Sequence, residues 1–251
     1  MYPGGARVPR RGTCTPKGHD IIGKVAILKV VVPDGRRLML DLSIPVLVSR
    51  VITLVIAFTV HEFSHAFVAD LYGDLTPRLN HRLTLNPLKH LDVIGSLMLL
   101  IAGFGWAKPV PVSAGFLKQR SKSAFMWVSV AGPASNLLMA ILAAIPLRFN
   151  LIPVMPTGTI LPSPQSFLLT FFYINLLLMV FNLIPLSPLD GEKVLEFVLP
   201  DSWSQAYARL KPYGPMLLLV IVFLLPRFGI DILSAIMFPI INGLQIVLLG
   251  A

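Results

Sequence analysis

The sequence His-Glu-Phe-Ser-His at residues 61 to 65 lies near the end of an apolar run that begins around Val46. If this run is helical, His61 and His65 project from one face, where both imidazoles can bind one metal ion. Glu62 lies beside them and could take the proton of a water molecule at that metal. Ionisable groups inside hydrocarbon are costly and usually mark a functional site. The pattern therefore indicates a metal centre within a membrane.

A catalytic zinc ion usually takes three protein ligands and a water molecule, so the two histidines need a third partner. The single cysteine, Cys14, excludes a cysteine-based site. Asp190 is the preferred ligand, because it follows two prolines that end a hydrophobic run and precedes a glycine that permits close backbone approach. Glu192 and Glu196, four residues apart, are the competing candidates. Their stretch reads as an exposed amphipathic helix, where a solvated face is the commoner role for a glutamate.

Three asparagines in the other apolar runs are further candidates for the site. Asn136 follows Gly132-Pro133 by one turn, where the proline frees a carbonyl and opens space in the helix. Its amide could stabilise an oxyanion or hold a substrate backbone, or could form interhelical hydrogen bonds worth about 1 kcal/mol. Asn175 and Asn182 share one helix face. Helix packing is the favoured role for Asn175, and Asn182, nearer to Asp190, is the candidate for substrate binding.

The composition predicts a membrane protein. The chain has 251 residues, of which 55% are hydrophobic and 13% charged, and its mean hydropathy is +0.77. Soluble domains carry about 25% charged residues. The net charge of +9 does not indicate a nucleic-acid partner, because the basic residues lie in the N-terminal segment and at the ends of apolar runs, where they face anionic lipid. We predict an all-α bundle in the lipid bilayer with about five to six membrane segments.

The apolar runs locate these segments, since about 20 apolar residues make one crossing. They are Val46 to about Leu71, about Ala124 to Leu147 with an interruption at Gly132-Pro133, about Ser166 to Pro185, Tyr213 to Leu225, and Gly229 to Leu249. Residues 93 to 105 are apolar but too short to cross, which predicts a re-entrant or buried element. We therefore expect a flexible basic segment at 1–44, a catalytic transmembrane core at 45–200 and a C-terminal helix pair at 201–251.

Basic residues in the connecting segments predict the orientation. Segments 72–92, 106–123 and 191–212 each hold three or more lysines or arginines, whereas 148–165 holds only Arg148. By the positive-inside rule the first three are cytoplasmic, so the metal centre lies toward the cytoplasmic side of the cell membrane. The basic residues before position 44 would then lie outside. This segment could form a small hairpin. Either another membrane-associated element precedes the first helix, or the native chain starts at Met39, which is the hypothesis we favour.

Three motifs in this order resemble the site-2 protease family of intramembrane zinc metalloproteases. HEFSH (61–65) is similar to the metal-binding helix of that family, AGPASN (131–136) to its Gly-Pro-x-x-Asn segment, and NLIPLSPLDG (182–191) to its Leu-Asp-Gly motif. The resemblance covers about residues 43 to 200 and is to minimal members without PDZ or CBS domains. One departure is Glu192, where many members have a second glycine.

The resemblance implies that His61, His65 and Asp190 bind one zinc ion, that Glu62 is the catalytic base, and that Asn136 assists the substrate or the transition state. It implies an endopeptidase that hydrolyses peptide bonds within or next to transmembrane segments of other membrane proteins. The alternatives are a metal-ion transporter or sensor and a catalytically inactive scaffold. The glutamate argues against both, because neither needs a base beside the metal. A transporter should also show staggered ligand pairs or inverted repeats, and the sequence shows neither.

Overall fold

The computed structural model of the chain describes residues 43–92, 95, 107–121, 123–153 and 155–250. Every regular element among these residues is helical, and the extended pairing found there is a single antiparallel bridge between Leu91 and Ala107. The predicted all-α fold is therefore confirmed. The expectations of an N-terminal hairpin, of a start at Met39 and, apart from Gly95, of a re-entrant element at 93–105 lie outside the described residues.

Nine α-helices make up most of the described part of the chain. They are α1 (Ile44–Leu71), α2 (Thr76–Leu79), α3 (Ala114–Arg120), α4 (Ala124–Arg148), α5 (Pro164–Asn182), α6 (Gly191–Val198), α7 (Asp201–Leu210), α8 (Gly214–Leu219) and α9 (Ile232–Leu249). Short helical turns follow α7 and α8 at Lys211–Tyr213, Val220–Leu224 and Leu225–Phe228.

Five helical stretches among the described residues are long and apolar enough to cross a membrane. They are α1, α4, α5, the run Ser202–Phe228 that includes most of α7 and all of α8, and α9. By length and composition the chain is thus a multi-pass membrane protein. The helix α5 ends at Asn182, before the predicted end at Pro185, because a proline disfavours the α conformation of the residue that precedes it.

The predicted interruption at Gly132-Pro133 was wrong, because α4 runs unbroken from Ala124 to Arg148 with Pro133 and Pro146 inside it. A proline removes one backbone hydrogen bond, and membrane helices tolerate this loss where neighbouring helices pack against the site. Pro133 is fully buried. The packing of α4 against its neighbours therefore compensates for the missing bond.

Small buried residues lie where α1 and α4 pack together with α5. Ala57, Ala66 and Ala69 of α1 and Ala140 of α4 are fully shielded from solvent. Small side chains allow helix backbones to approach closely, which is the usual basis of helix packing in membranes. The face of α1 that carries the two histidines is therefore enclosed by the protein, whereas Phe67 and Leu71 of the same helix are exposed.

The end of the last helix lies beside the end of α4. The Arg148 guanidinium donates to the backbone carbonyls of Val247 (2.7 Å) and Leu248 (3.3 Å) near the C-terminus of α9. Five single crossings in strict alternation would put the ends of α4 and α9 on opposite sides of the membrane. The contact therefore indicates that Ser202–Phe228 enters and leaves on one side, unlike the ordinary crossing predicted for Tyr213–Leu225.

This arrangement predicts the location of the C-terminus. A reporter of membrane topology fused after residue 251 should give the same sidedness as one inserted in the 149–163 connection. A reporter inserted near Asn80, after α1, serves as the control and should give the opposite result. If the C-terminal fusion agrees with the control instead, all five stretches cross in alternation and the interpretation of the Arg148 contact is wrong.

Candidate metal centre

His61 and His65 lie on one face of α1, as their spacing predicts. Their Nε2 atoms are 3.1 Å apart, and the two rings meet edge to face with centroids separated by 4.7 Å. Both side chains are buried, with 5% and 8% of their surface exposed. The pair therefore directs two ring nitrogens at one point inside the protein.

Asp190 completes the cluster from the other side. Its Oδ2 atom lies 3.2 Å from the Nε2 atom of His61 and 3.2 Å from that of His65. The aspartate occupies the position just before α6, at the end of the turn that follows α5. At Gly191 a Cβ atom would lie 2.3 Å from the Leu183 carbonyl oxygen, so the turn can close tightly because this residue is glycine.

The three ligand atoms are spaced as a tetrahedral metal ion requires. Zinc bonds of about 2.0–2.1 Å at tetrahedral angles hold neighbouring ligand atoms about 3.3 Å apart, and the separations here are 3.1 to 3.2 Å. Two imidazoles and one carboxylate form a ligand set that zinc commonly takes in catalytic sites. Within the described residues this is the group of histidine and acidic side chains that is arranged to hold a metal ion.

Hydrogen bonds on the far side of each imidazole orient the two histidines. The Nδ1 atom of His61 lies 2.6 Å from the Oδ1 atom of Asn136, and that of His65 lies 2.6 Å from the Val128 carbonyl oxygen. Both partners are acceptors, so each ring carries its proton on Nδ1 and leaves Nε2 free to bind a metal. Residues of α4 thus orient both imidazoles so that their Nε2 atoms can bind a metal.

Asn136 is itself held by Asn175 of α5. Its Nδ2 atom donates to the Oδ1 atom of Asn175 (2.9 Å), whose own amide donates to the Phe171 carbonyl (2.8 Å). Both asparagines are fully buried. Since both ends of the Asn136 amide are engaged by protein groups, its contacts orient His61, and its action on a substrate or oxyanion stays a prediction. The sequence favoured helix packing as the role of Asn175 and did not predict this chain of hydrogen bonds.

Replacing Asn136 by alanine should weaken zinc binding by about 10- to 100-fold, because the orienting hydrogen bond of His61 is lost. Competition with a fluorescent zinc chelator in detergent solution measures this affinity. Asn182→Ala is the matched control, since the Asn182 amide donates to the Leu178 carbonyl of its own helix (2.9 Å). Equal affinities of the two variants would contradict the orienting role.

The predicted role of Asn182 in substrate binding stays a prediction. The residue is the last of α5, and the hydrogen bond to Leu178 spans one turn of that helix. Its side chain is half-buried. A position at the end of α5, shortly before the turn that carries Asp190, is compatible with contact to a bound peptide.

Gly132 leaves space beside the ligand atoms. A Cβ atom at this position would lie 2.4 Å from the Nε2 atom of His65 and 2.6 Å from that of His61. Such distances are far inside van der Waals contact. The glycine in α4 therefore keeps open the volume that a metal ion and its fourth ligand would need.

Glu62 lies beside the cluster in a protected position, with 9% of its surface exposed. One carboxylate oxygen, Oε2, accepts a hydrogen bond from the Val110 backbone N–H (3.0 Å). A carboxylate next to two metal-binding imidazoles, with one oxygen fixed in this way, is placed to exchange a proton with a water molecule.

The competing ligands Glu192 and Glu196 pair with lysines instead. Lys211 lies 2.9 Å from Glu192 and 2.8 Å from Glu196, and Lys118 lies 2.9 Å from Glu196. Burial alone would raise the pKa of Glu196, but the hydrogen bonds from the two lysines lower it below its usual value. Glu192 is 7% exposed, so the expected solvated face was wrong for this residue, whose charge is balanced inside the protein.

Comparison with known proteins points to the same chemistry. The chain is 38% identical over 199 residues to the "Putative zinc metalloprotease YwhC" of Bacillus subtilis. The aligned region covers 77% of this chain and 85% of that protein. It is 34% identical over 175 residues to the "Putative zinc metalloprotease Rip2" of Mycolicibacterium smegmatis, across 67% of this chain and 64% of Rip2. The chain belongs to this zinc metalloprotease family.

A more distant relative has a similar name. The "Putative zinc metalloprotease MJ0611" of Methanocaldococcus jannaschii is 28% identical over 166 residues, which is 65% of this chain and 77% of that protein. No family-wide sequence profile matches the chain, and no solved structure matches it. Membership of the metalloprotease family therefore rests on the individual relatives.

Proposed function

We propose that this protein is a zinc-dependent endopeptidase of the site-2 protease type, which cuts peptide bonds within or next to transmembrane segments. The observation that carries the proposal is the cluster of His61, His65 and Asp190, with ligand atoms 3.1 to 3.2 Å apart inside an apolar helical bundle. The names of the relatives support zinc and proteolysis, and the location of the ligands on a membrane-spanning helix supports membrane-protein substrates.

The residues of the chain divide the chemistry among them. His61, His65 and Asp190 would hold one zinc ion, which when bound supplies Lewis-acid activation of water and of the carbonyl to be cut. Glu62 accepts a proton from the attacking water and later passes it to the leaving amine, so that the carboxylate is regenerated in each cycle. Asn136 keeps His61 in the required tautomer.

The burial of the site sets a requirement on the substrate. The carbonyls of a transmembrane helix are hydrogen-bonded within the helix, so a segment must unwind before its backbone can reach the metal centre. Glycine, proline or asparagine near the cleaved bond lowers the cost of unwinding, by about 1 kcal/mol for glycine and about 3 kcal/mol for proline relative to alanine. We propose that water and metal enter from the cytoplasmic side, where the basic connecting segments are predicted to lie.

A metal-ion transporter or sensor is the less favoured function. In the described residues the ligands form one cluster, with no second group placed to pass an ion onward. Glu62 and its hydrogen bond to Val110 have no use in transport. A scaffold without catalysis would likewise not need this carboxylate beside the metal ligands.

The test is cleavage of a synthetic transmembrane peptide by the purified protein in detergent micelles. We expect cleavage that a zinc chelator removes and added zinc restores, and that Asp190→Asn abolishes. Asp70→Asn is the control, because Asp70 lies on the same helix as the histidines but pairs with the exposed Arg78 (2.7 Å) rather than with the metal ligands. Cleavage that survives both the chelator and Asp190→Asn would refute the proposal. Ion uptake into vesicles without cleavage would favour the transporter.

A further inference from the structure

Two chain segments meet beside Glu62 through backbone contacts. Leu91 and Ala107 form the isolated antiparallel bridge, and the Lys108 N–H donates to the His90 carbonyl (2.8 Å). Residues 107 and 108 therefore pair with residues 90 and 91 through their backbones. This backbone leads directly to Val110, whose N–H binds the Glu62 carboxylate.

Arg82 connects these two segments with its guanidinium group. The group donates hydrogen bonds to the carbonyls of Lys89 and Lys108, and to that of Pro109 at 3.0 Å. Arg82 is 5% exposed. A buried cation is costly unless it is hydrogen-bonded. The planar, forked donors of arginine suit several carbonyls at once, which a lysine cannot match, although the Nε atom of Arg82 has no partner among the described residues. The residue thus fixes the backbone on both sides of the bridge.

The backbone that follows Val110 is fixed by a different side chain. Asp74, with 3% of its surface exposed, accepts hydrogen bonds from the Ser113 N–H (2.6 Å) and the Thr76 N–H (3.0 Å). Arg82 and Asp74 therefore anchor the backbone before and after Val110. With both ends held, the Val110 N–H has little freedom to move away from the carboxylate of Glu62.

The charge of Arg82 also acts on the same carboxylate. Burial lowers the pKa of the Arg82 guanidinium below its usual value, and the nearby negative charge of Glu62 opposes that shift. The two groups therefore attract each other through space, although the hydrogen bonds of Arg82 go to backbone carbonyls.

We propose that Arg82 is a positioning residue for the reaction: it holds the backbone at residues 108–110 so that the Val110 N–H keeps Glu62 directed at the attacking water. The inference rests on the proposed function, since it assumes that Glu62 is the base. It assigns a catalytic consequence to a residue that lies outside the metal-binding helix and whose hydrogen bonds go to backbone carbonyls.

The first test compares Arg82→Gln with Arg78→Gln, which removes a nearby but exposed arginine whose partner is Asp70. We expect Arg82→Gln to lower kcat for the transmembrane peptide by about 100-fold, as a misplaced catalytic group does, with KM within about threefold. Zinc content should match the wild type, and hydrogen–deuterium exchange at residues 107–112 should be faster. The kcat of Arg82→Lys should lie between those of Arg82→Gln and the wild type. The kcat of Arg78→Gln should resemble that of the wild type.

Two outcomes of this comparison would overturn the proposal. One is an unchanged kcat for Arg82→Gln beside an active wild type. The other is loss of zinc or of the folded state, which would show that Arg82 stabilises the core as a whole. A wild type that binds zinc but cuts nothing would instead refute the proposed function, so the two failures are distinguishable.

A double-mutant cycle separates positioning from general stabilisation. Glu62→Asp shortens the side chain by one methylene and removes its reach to the Val110 N–H. If Arg82 acts through Glu62, the double variant Glu62→Asp/Arg82→Gln should be no more than about threefold slower than Glu62→Asp alone, because residues that act as a unit are not additive. Losses that multiply in full would contradict the inference.

Discussion

Replacing Glu62 by glutamine should reduce peptide cleavage by about 10²- to 10⁴-fold, the usual contribution of a general base. Glutamine keeps the length of the side chain and an oxygen that can accept the Val110 N–H, so the local structure should persist. The three ligand atoms are untouched, and zinc content should therefore equal that of the wild type. Initial rates on a transmembrane peptide, measured beside metal content, test both expectations.

Glu196→Gln is the matched control for this substitution. Glu196 is also a partly buried glutamate, but its partners are Lys118 and Lys211 rather than groups at the metal centre. It should cleave within a few-fold of the wild type. Full activity of Glu62→Gln would show that another group takes the proton of the attacking water, and the proposed mechanism would then fail.

Adding one methyl group at Gly132 should abolish metal binding. The new Cβ atom would lie 2.4 Å from the Nε2 atom of His65 and 2.6 Å from that of His61, in the space beside both ligand atoms. Helix propensity works in the opposite direction, since alanine favours a helix by about 1 kcal/mol over glycine. A loss of zinc affinity of at least about 100-fold would therefore arise from steric exclusion at the site, and cleavage would be lost with it.

Gly243→Ala is the control for Gly132→Ala, because Gly243 also lies inside an apolar helix and a Cβ atom there would meet nothing within 4 Å. Its zinc affinity should equal that of the wild type. Zinc titration of the purified variants supplies the comparison. Normal binding by Gly132→Ala would mean that the metal does not lie between the two imidazoles and Asp190.

Local sequence patterns predicted the three metal-ligand residues better than the hydrogen bonds and ion pairs around them. Hydropathy located α1, and the four-residue spacing of His61 and His65 put both rings on one face of it. Asp190 was favoured because prolines and a glycine around it predict a turn. These inferences depend on neighbours in sequence, where helix period and turn chemistry act directly.

The supporting contacts depend on residues far apart in the sequence. The hydrogen bonds from His61 to Asn136 and onward to Asn175 join three separate helices. The pairing of Glu192 with Lys211 likewise requires a later segment to fold back. The amphipathic pattern around Glu192 therefore predicted a solvated position, although the residue is buried beside this lysine. No local pattern encodes such contacts, because they arise from how the helices pack.

The number of membrane crossings also depends on contacts between distant residues. Length and hydropathy identify Ser202–Phe228 as a stretch able to cross a membrane. The direction of α9 follows from a contact between Arg148 and the carbonyl of Val247, 99 residues later in the chain. Hydropathy describes the preference of a segment for lipid, whereas its path through the bilayer is set by packing against other helices.

Metal content and coordination of the purified protein test the central claim most directly. Mass spectrometric metal quantitation should find about one zinc ion per chain, and X-ray absorption should show nitrogen and oxygen ligands at about 2.0–2.2 Å without sulfur. His65→Ala and Asp190→Ala should each lose most of this zinc. Protein that is folded but free of metal after incubation with zinc, or that retains full zinc in both variants, would contradict the account.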